Sequence, residues 1–342
     1  MKKLISILCA AATSCALVLS LSACGDGDTG KGSTGGEQSN VKGTVHVYMP
    51  DGAPAIALAA LMDSGYNGFD FTVVPSTEIA GAVSSRTADM AIMPIDAAAT
   101  LYNNGADIVM LSVNTHGNLY MVGNQEDVAL ADLKGKKLGV IGQGSVPDNV
   151  LRMLLKDAQI DGQISESAVS GKVALTYNDA TALIPLFKQG KLDYILLGEP
   201  AVTNAVNATG GKIAMDMQAQ WAAAFDGQFP QACLVAKGSL VKDRKSDVDQ
   251  FLAAVKNSDG WAELNPDKAL QAVSDNMKKG NQTTLKALNA SIVRRCNVSA
   301  VSASDSREQC NAYFEKLHGL TAYGLGTPVL AKVPDDNFYY KA

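Results

Sequence analysis

The alternation of apolar strands and helices is the sequence feature that most restricts the fold of this chain. Val45 to Met49 is typical of a strand, and Pro54 to Met62 is typical of a helix that begins with proline. The same order continues through predicted strands at Phe69 to Val74, Met90 to Met93 and Ile108 to Ser112. Because parallel strands are joined by crossover helices, this half predicts a largely parallel sheet that is covered on both faces.

A second series of alternating strands and helices follows about a hundred residues later. Its strands are predicted at Lys137 to Ile141, Val173 to Thr176 and Tyr194 to Leu197. Ala88 to Met93 and Leu192 to Leu197 each place an aspartate ahead of an apolar strand. The predicted fold class is therefore α/β, with two mixed, largely parallel sheets flanked by helices and a ligand cleft between two lobes.

The chain is expected to cross between the lobes twice. We predict lobe 1 over residues 42–122 and 233–342 and lobe 2 over residues 123–232, with hinges near Leu119 to Gly123 and Pro230 to Val235. Further helices, expected to support lobe 1, are predicted at Ser246 to Asn257, Pro266 to Lys279, Gln282 to Ala290 and Asp305 to His318. A coil tail from Gly319 to Ala342 is expected to end the chain.

The N-terminus has the pattern of an export signal. Lys2 and Lys3 precede an apolar run from Leu4 to Leu21, and small residues precede Cys24. A membrane-spanning anchor is the alternative interpretation of this run. Leu21-Ser22-Ala23-Cys24 resembles the bacterial lipobox, which implies that residues 1–23 are removed and that Cys24 is lipidated. Residues 24–41 then form a polar, flexible tether, which reaches about 20 to 24 Å.

Charge and cysteine content exclude several classes of partner. Loss of Lys2 and Lys3 lowers the formal net charge from −5 to −7, and the remaining basic residues are scattered, so nucleic acid is not an expected partner. Export permits a disulfide between Cys296 and Cys310, and the spacing leaves that question open. The three histidines are far apart in sequence, so neither a metal nor a cofactor is expected.

The loops at the carboxyl ends of the predicted strands are the expected ligand-binding region. They are Pro50 to Pro54, Pro75 to Glu78, Pro94 to Asp96, Asn114 to Asn118, Gln143 to Asp148, Tyr177 to Asp179 and Gly198 to Pro200.

Individual residues in these loops have two interpretations each. Gly142 to Ser145 is either a backbone cradle for a polar group or a turn capped by Ser145, and it lacks a nucleotide-binding fingerprint. His116 is either a ligand contact or a capped turn residue. Asp51, Asp96 and Glu199, in loops without arginine, weakly favour an amine or neutral ligand, although helix dipoles alone also favour acids there.

Aromatic and catalytic patterns add little to this region. Trp221 and Phe225 either stack on a planar ligand or pack in the core, and packing is favoured. No spacing indicates a Ser-His-Asp, Cys-His or paired-carboxylate catalytic site, so an enzyme is not expected.

Several segments together resemble the solute-binding lipoproteins of bacterial ABC importers, in the type II branch that includes nitrate, sulfonate, taurine and thiamine-precursor binders. These segments are the lipobox at Cys24, Ala88 to Ile92, Asp132 to Val140, Gly144-Ser145 with Val150-Leu151-Arg152, Gly190 to Asp193, and Glu199 to Val202.

The resemblance implies a lipid-anchored monomer on the outer face of the cell membrane. It would capture a small solute between its lobes and deliver it to a membrane permease that is driven by an ATPase. Together with the loop analysis, it gives the candidate ligand-binding residues Asp51, Gly52, Ala53, Pro54, Ser76, Met93, Asp96, His116, Gln143, Gly144, Ser145, Asn178 and Glu199.

Two alternative functions use the same fold. The chain could instead be the ligand-binding component of a membrane sensor, or an enzyme similar to the pyrimidine synthases of thiamine synthesis. Those enzymes have a cysteine-rich motif, whereas Cys233 stands alone here. The solute, the permease and the type of cell envelope stay open.

Overall fold

The computed structural model describes residues 43–322 and 326–342. The predicted signal, the tether and Cys24 lie outside the described residues. Within the described residues, no helix is both long enough and apolar enough to cross a bilayer.

The strands of the described chain form two sheets of six strands each. The first sheet has the order β12-β4-β11-β3-β1-β2, and the second has the order β10-β5-β9-β6-β8-β7. The strands are β1 Val45–Pro50, β2 Phe69–Val74, β3 Met90–Pro94, β4 Ile108–Thr115, β5 Leu119–Gly123, β6 Lys137–Val140, β7 Gly162–Ile164, β8 Val173–Tyr177, β9 Tyr194–Gly198, β10 Lys212–Asp216, β11 Ala232–Lys237 and β12 Val298–Ser302.

Helices connect the strands and continue after β11. They are α1 Ala53–Ile56, α2 Ala59–Ser64, α3 Ser76–Ser84, α4 Ile95–Asn103, α5 Val146–Asp157, α6 Ala180–Lys188, α7 Ala201–Thr209, α8 Met217–Phe225, α9 Gly238–Asp243, α10 Lys245–Asn257, α11 Trp261–Leu264, α12 Pro266–Asp275, α13 Ala290–Arg295 and α14 Ala303–His318. Short 3-10 helices occur at Leu130–Leu133 and Asp336–Phe338.

Both sheets are mixed, as the sequence predicts. β1 runs parallel to β2 and β3, and β6 runs parallel to β8 and β9. β11 is antiparallel to β3 and β4, and β5 is antiparallel to β9 and β10. Strands β3 and β5 consist almost wholly of buried apolar residues, because helices cover both faces of each sheet. The two sheets thus have the same plan of a parallel core with antiparallel additions.

The C-terminal helices pack on the first sheet. The ring of Phe251 on α10 stacks on Phe69 at a centroid distance of 4.6 Å and on Phe71 at 6.4 Å. Phe251 is fully buried. The aromatic contacts fasten α10 to strand β2, which lies at the edge of the first sheet.

The hinges predicted near Leu119 to Gly123 and Pro230 to Val235 lie beside or overlap the points where the chain changes sheets, and they stay predictions. Leu119–Gly123 is strand β5, and Ala232–Lys237 is strand β11. By sheet membership, the chain changes sheets at residues 116–118 and 226–231, which we call the crossing segments. The lobe boundaries after residues 122 and 232 stay predictions.

The prediction of a helix over Gln282 to Ala290 is wrong, because the chain is irregular from 281 to 289. Thr283 and Thr284 instead hydrogen-bond to Asp51, more than two hundred residues away. Leu285 and Leu288 are buried without a helix. Tertiary hydrogen bonds therefore override the local preference of this segment.

The crossing segments touch each other closely at Gly117 and Phe229. A Cβ atom on Gly117 would lie 2.6 Å from the Phe229 ring, which is fully buried. Gly117 also has a φ angle of +68°. Gly117→Ala should therefore lower the free energy of unfolding through two costs. One is the strain of a positive φ angle, and the other is the clash with the Phe229 ring, which adds about 1 to 3 kcal/mol.

Urea unfolding can measure this difference with Gly190→Ala as the matched control. Gly190 has a φ angle of +69°, but a Cβ atom there meets open space. Equal losses for both variants would contradict the close contact between the crossing segments.

Candidate functional site

A buried side-chain contact joins the loop after β3 to the loop after β6. Asn149 Nδ2 donates to Asp96 Oδ2 at 2.7 Å and to the carbonyl oxygen of Gly144 at 3.3 Å. Asp96 is in the first turn of α4 and Asn149 is in the first turn of α5, so the helices carry these residues from opposite sheets. The carboxyl ends of the parallel strands of the two sheets therefore face each other.

Asp148 holds the glycine loop after β6 in place. Its Oδ2 accepts from the backbone N–H of Gly144 at 2.8 Å, and its Oδ1 accepts from the Tyr177 hydroxyl at 2.7 Å. Burial raises the pKa of Asp148, and these two hydrogen bonds act in the opposite direction. The first turn of α5, which contains Asp148, thus holds Gly144 in position. Ser145 forms no side-chain hydrogen bond that caps α5.

The Asp96 carboxyl lies among buried polar atoms whose hydrogen bonding is incomplete. Asp96 Oδ1, Asn149 Oδ1 and the Tyr313 hydroxyl are buried without a hydrogen-bond partner of full geometry, although the Tyr313 hydroxyl is close enough to act on the carboxyl. Burial raises the pKa of Asp96 to about 6. A buried polar group without a full hydrogen bond costs free energy, so this cluster lowers the stability of the fold.

The crossing segments are joined by a reciprocal pair of amides. Gln231 Oε1 accepts from the backbone N–H of Asn118 at 2.8 Å, and Gln231 Nε2 donates to Asn118 Oδ1 at 2.6 Å. Asn118 Nδ2 also donates to the carbonyl oxygen of Glu199 at 3.1 Å. These bonds tie both crossing segments to the end of β9.

Glu199 is an ion-pair partner and not a free acid. Its buried carboxylate accepts from Arg295 Nε at 2.6 Å, from Thr203 Oγ1 at 2.9 Å and from the Thr203 backbone N–H at 3.1 Å. The argument for an amine or neutral ligand rests on three acids in loops that contain no arginine. Arg295 lies on α13, outside those loops, and its charge compensates that of Glu199.

Asp51 is likewise occupied. Its carboxylate accepts from Thr283 Oγ1 at 2.7 Å and from both the N–H and the hydroxyl of Thr284 at 2.6 Å. Asp51 thus fixes the 281–289 segment beside the turn that contains Gly52, Ala53 and Pro54. Ala53 is buried in the first turn of α1.

His116 is a buried member of the first crossing segment. Its ring Nε2 lies 3.3 Å from the carbonyl oxygen of Ser299, and its backbone N–H donates to the carbonyl oxygen of Asn297 at 3.1 Å. Asn297 Nδ2 donates back to the His116 carbonyl oxygen. Burial lowers the pKa of His116. These contacts fit the turn-residue interpretation of His116 better than the ligand interpretation.

The other candidates divide into core and surface. Met93 is fully buried in β3 and packs in the core. Ser76, Gln143 and Asn178 are exposed, while Ser145 is half-buried, and Asn178 Oδ1 accepts from the Asp179 backbone N–H at 3.1 Å. The structure therefore brings Asp96 and the Gly144 loop together, whereas Met93 packs in the core and the carboxylates of Asp51 and Glu199 accept hydrogen bonds within the protein.

Sequence reasoning missed Asn149, Tyr313 and Arg295. Asn149 carried a usable signal, because it lies on the buried face of the amphipathic helix α5 between Val146 and Val150. Tyr313 and Arg295 carried none, since their partners are distant in sequence.

The cysteines and the aromatic cluster have structural roles. Cys233, Cys296 and Cys310 are free and buried, so the disulfide that the spacing left open is not formed. Burial raises the pKa of Cys310 to about 12. Trp221 is 3% exposed and contacts Phe225, Phe229 and Tyr313 at ring distances of 4.7 to 5.8 Å, which confirms that it packs in the core.

The architecture is that of the two-lobed periplasmic binding proteins, and three solved structures share it. An ABC transporter protein from Parabacteroides distasonis has a TM-score of 0.68 at 22% identity, covering 88% of this chain and 99% of its own. The periplasmic aliphatic sulphonate binding protein of Escherichia coli has a TM-score of 0.58 at 15% identity, covering 80% and 91%. The alkanesulfonate-binding protein of Xanthomonas axonopodis pv. citri, bound to MOPS, has a TM-score of 0.54 at 13% identity, covering 80% and 93%.

The family is assigned from the sequence. The family described as "NMT1/THI5 like" matches residues 48–269, which is more than half of the chain. The chain belongs to this family. Comparison with curated proteins gives no significant match.

The raised pKa of Asp96 predicts a pH-dependent stability. The folded protein keeps the Asp96 proton up to about pH 6, whereas the unfolded chain releases it near pH 4. The folded state therefore loses stability as the pH rises from about 4 to 6. Asp96→Asn removes this loss and should raise the free energy of unfolding by up to about 3 kcal/mol at pH 7 but little at pH 4.

Chemical unfolding at several pH values measures this effect. Asp157→Asn, at an exposed carboxyl, is the control and should show no such change between pH 4 and 7. A pH-independent effect of Asp96→Asn would contradict the burial of an ionisable carboxyl at this contact.

Proposed function

We propose that this protein is an extracytoplasmic solute-binding lipoprotein of an ABC importer. The observation that carries the proposal is the hydrogen bond between Asp96 and Asn149, which joins helices of opposite sheets at their facing ends. A second contact of the same kind joins Glu199 to Arg295. Both are polar contacts that can separate into water and reform, as the opening and closing of two lobes requires.

In the proposed mechanism, a solute enters between the facing strand ends and the lobes close on it. Asp96 Oδ1, Asn149 Oδ1 and the Tyr313 hydroxyl, which form no hydrogen bond of full geometry, are the polar atoms that it would engage. Closure excludes water, and in that environment each hydrogen bond contributes more to affinity. Ser76, Gln143, Gly144, Ser145 and Asn178 would form the outer part of this binding region.

The class of solute stays open within this proposal. Relatives of the fold bind sulfonates, whereas the buried carboxyl of Asp96 favours a ligand that donates hydrogen bonds. Amines, N-heterocycles and pyrimidine precursors donate hydrogen bonds, whereas simple sulfonates match the solutes of those relatives. A zwitterion with a nitrogen donor and a sulfonate combines both properties.

The thiol chemistry does not favour the alternative of an enzyme. Cys233 is fully buried, and burial raises its pKa well above the usual range. A buried neutral thiol is a poor nucleophile. The alternative of a sensor component shares the solute-binding step and differs only in the membrane partner.

A solute panel tests the proposal directly. Alkanesulfonates, taurine, nitrate, polyamines and aminopyrimidines are each added to the purified full chain, and thermal unfolding and small-angle scattering are measured. We expect at least one compound to raise the Tm and to decrease the radius of gyration. The proposal fails if no compound changes either quantity.

The ion pair at Glu199 gives a second prediction. Arg295→Gln leaves a buried carboxylate without its cation, so the closed form should lose stability relative to the open form. We expect about a tenfold or greater loss of affinity for the solute found in the panel, with a larger radius of gyration. Arg307→Gln, which removes the same charge from an exposed pair with Asp336, is the control and should keep both values.

The lipid anchor is a separate part of the proposal. Cys24→Ser should yield a protein that is released from the membrane and binds solute with unchanged affinity, while the uptake of that solute by cells falls. The tether would otherwise keep the protein near its permease at high effective concentration. Full uptake by cells that carry only the released form would show that the anchor has no role in transport.

A further inference from the structure

Helix α14 is fastened to the first sheet by one of its sides. The helix packs on strands β4 and β12. Cys310, Phe314 and Leu317 are buried, and their spacing of four and three residues places them on one side of the helix. The Phe314 ring lies 6.2 Å from the ring of Phe338, which belongs to the 3-10 helix beside β4. This side of α14 therefore belongs to the packing of the first sheet.

The adjacent side of α14 contacts helices of the second sheet. The Tyr313 ring lies 5.8 Å from the ring of Trp221, and Lys316 Nζ lies 4.5 Å from the centroid of the Phe225 ring. Trp221 and Phe225 are on α8, which packs on β5 and β10 of the second sheet and on α5. Helix α14 thus connects the first sheet to the helices that cover the second.

The end of α14 makes a further contact with α5. The last carbonyl groups of an α-helix have no partner within the helix, and cations are favoured near them. Lys156 Nζ donates to the carbonyl oxygen of Gly319 at 3.0 Å, and Arg152 Nη2 donates to that of Thr321. Arg152 and Lys156 are four residues apart and therefore lie on the same face of α5. Two cations from α5 thus hold the turn at 319–321.

The 319–321 turn is itself fixed to the C-terminal region of the chain. Leu320 is buried, and its carbonyl oxygen accepts from the Val329 backbone N–H at 2.8 Å. His318 Nδ1 lies 2.8 Å from the carbonyl oxygen of Leu330. A surface groove separates the turn from α5, so water can replace the two hydrogen bonds to α5. The contact with α5 is therefore the part of this turn that can be broken and formed again.

The two ends of α14 differ in their relation to the crossing segments. Gln309 Nε2 donates to the carbonyl oxygen of Gln228, which lies in the second crossing segment. Gly319 comes ten residues later, about 15 Å further along the helix at 1.5 Å per residue. A rotation of the sheets about the crossing segments would separate α5 from α14 most at the end remote from them. The hydrogen bonds to the 319–321 turn are at that end.

We propose that the 319–321 turn is a reversible latch, which Arg152 and Lys156 hold while the lobes are closed and release to water when the lobes separate. Helix α14 stays on the first sheet throughout, and the two hydrogen bonds set how readily α5 and α8 move away from it. This inference rests on the lobe movement of the proposed function, but it does not depend on the identity of the solute or of the membrane partner.

Trp221 is a native probe for the release of the latch. Its ring contacts Tyr313 of α14 and is 3% exposed, so movement of α8 away from α14 admits water to it. The chain has two tryptophans, and Trp261→Phe leaves Trp221 as the only one. Quenching of Trp221 fluorescence by acrylamide is measured in this background, on the full chain in detergent and without added solute. A failed solute panel therefore leaves this measurement unaffected.

The latch variant combines Arg152→Met with Lys156→Met, which removes both donors. The control combines Arg294→Met with Lys188→Met, which removes the same charges from exposed positions on α13 and α6. We expect the latch variant to raise the quenching constant of Trp221 at least about twofold with an unchanged circular dichroism spectrum. The control should keep the original quenching constant.

Two results would overturn the inference. One is an equal quenching constant in the latch variant and the control, and the other is a rise that occurs only together with loss of the circular dichroism signal, which would assign the two cations to the stability of the fold alone. If the latch variant does not fold, Lys156→Met by itself decides the question by the same comparison with Lys188→Met.

Discussion

The amide pair between Asn118 and Gln231 is the interaction on which the arrangement of the two sheets depends. Each crossing segment leaves the end of one sheet and enters the other, so its backbone groups cannot all be satisfied within a sheet. The pair supplies two hydrogen bonds between the segments, and the Gln231 backbone N–H donates a further one to the Thr115 carbonyl oxygen at the end of β4. The bulk of Phe229 against Gly117 then fixes how closely the segments approach.

Buried polar groups are concentrated where the sheets face each other. The interiors of the sheets consist mainly of apolar side chains, whereas Asp96, Asn118, Asp148, Asn149 and Glu199 are all buried near strand ends. Most of these groups have partners, but Asp96 and Asn149 each keep one atom unpaired. Unpaired groups lower the stability of the unliganded closed state, and a ligand that pairs them shifts the equilibrium toward closure. The same buried carboxyl thereby connects stability, pH and ligand binding.

Much of the secondary structure was predictable, because its signals are local. The apolar runs at Met90 to Met93 and Tyr194 to Leu197 are buried strands, as predicted, and proline marks the first turn of α1. The residues at which the chain changes sheets, 116–118 and 226–231, could not be located from the sequence, because a buried strand and an extended linker have similar apolar sequences. The helix predicted at Gln282 to Ala290 was wrong because Thr283 and Thr284 form their hydrogen bonds with Asp51 and not within a helix.

The sequence by itself determined the two α/β series, the family and the loops in which polar groups meet, since periodicity and short motifs depend on neighbouring residues. Only the tertiary structure decided which of those groups are free. Glu199 is paired with a residue 96 positions away, and Asp96 meets Asn149 across 53 positions. The charge and hydrogen-bonding state of a side chain depend on what folding places beside it, and sequence spacing does not encode such contacts.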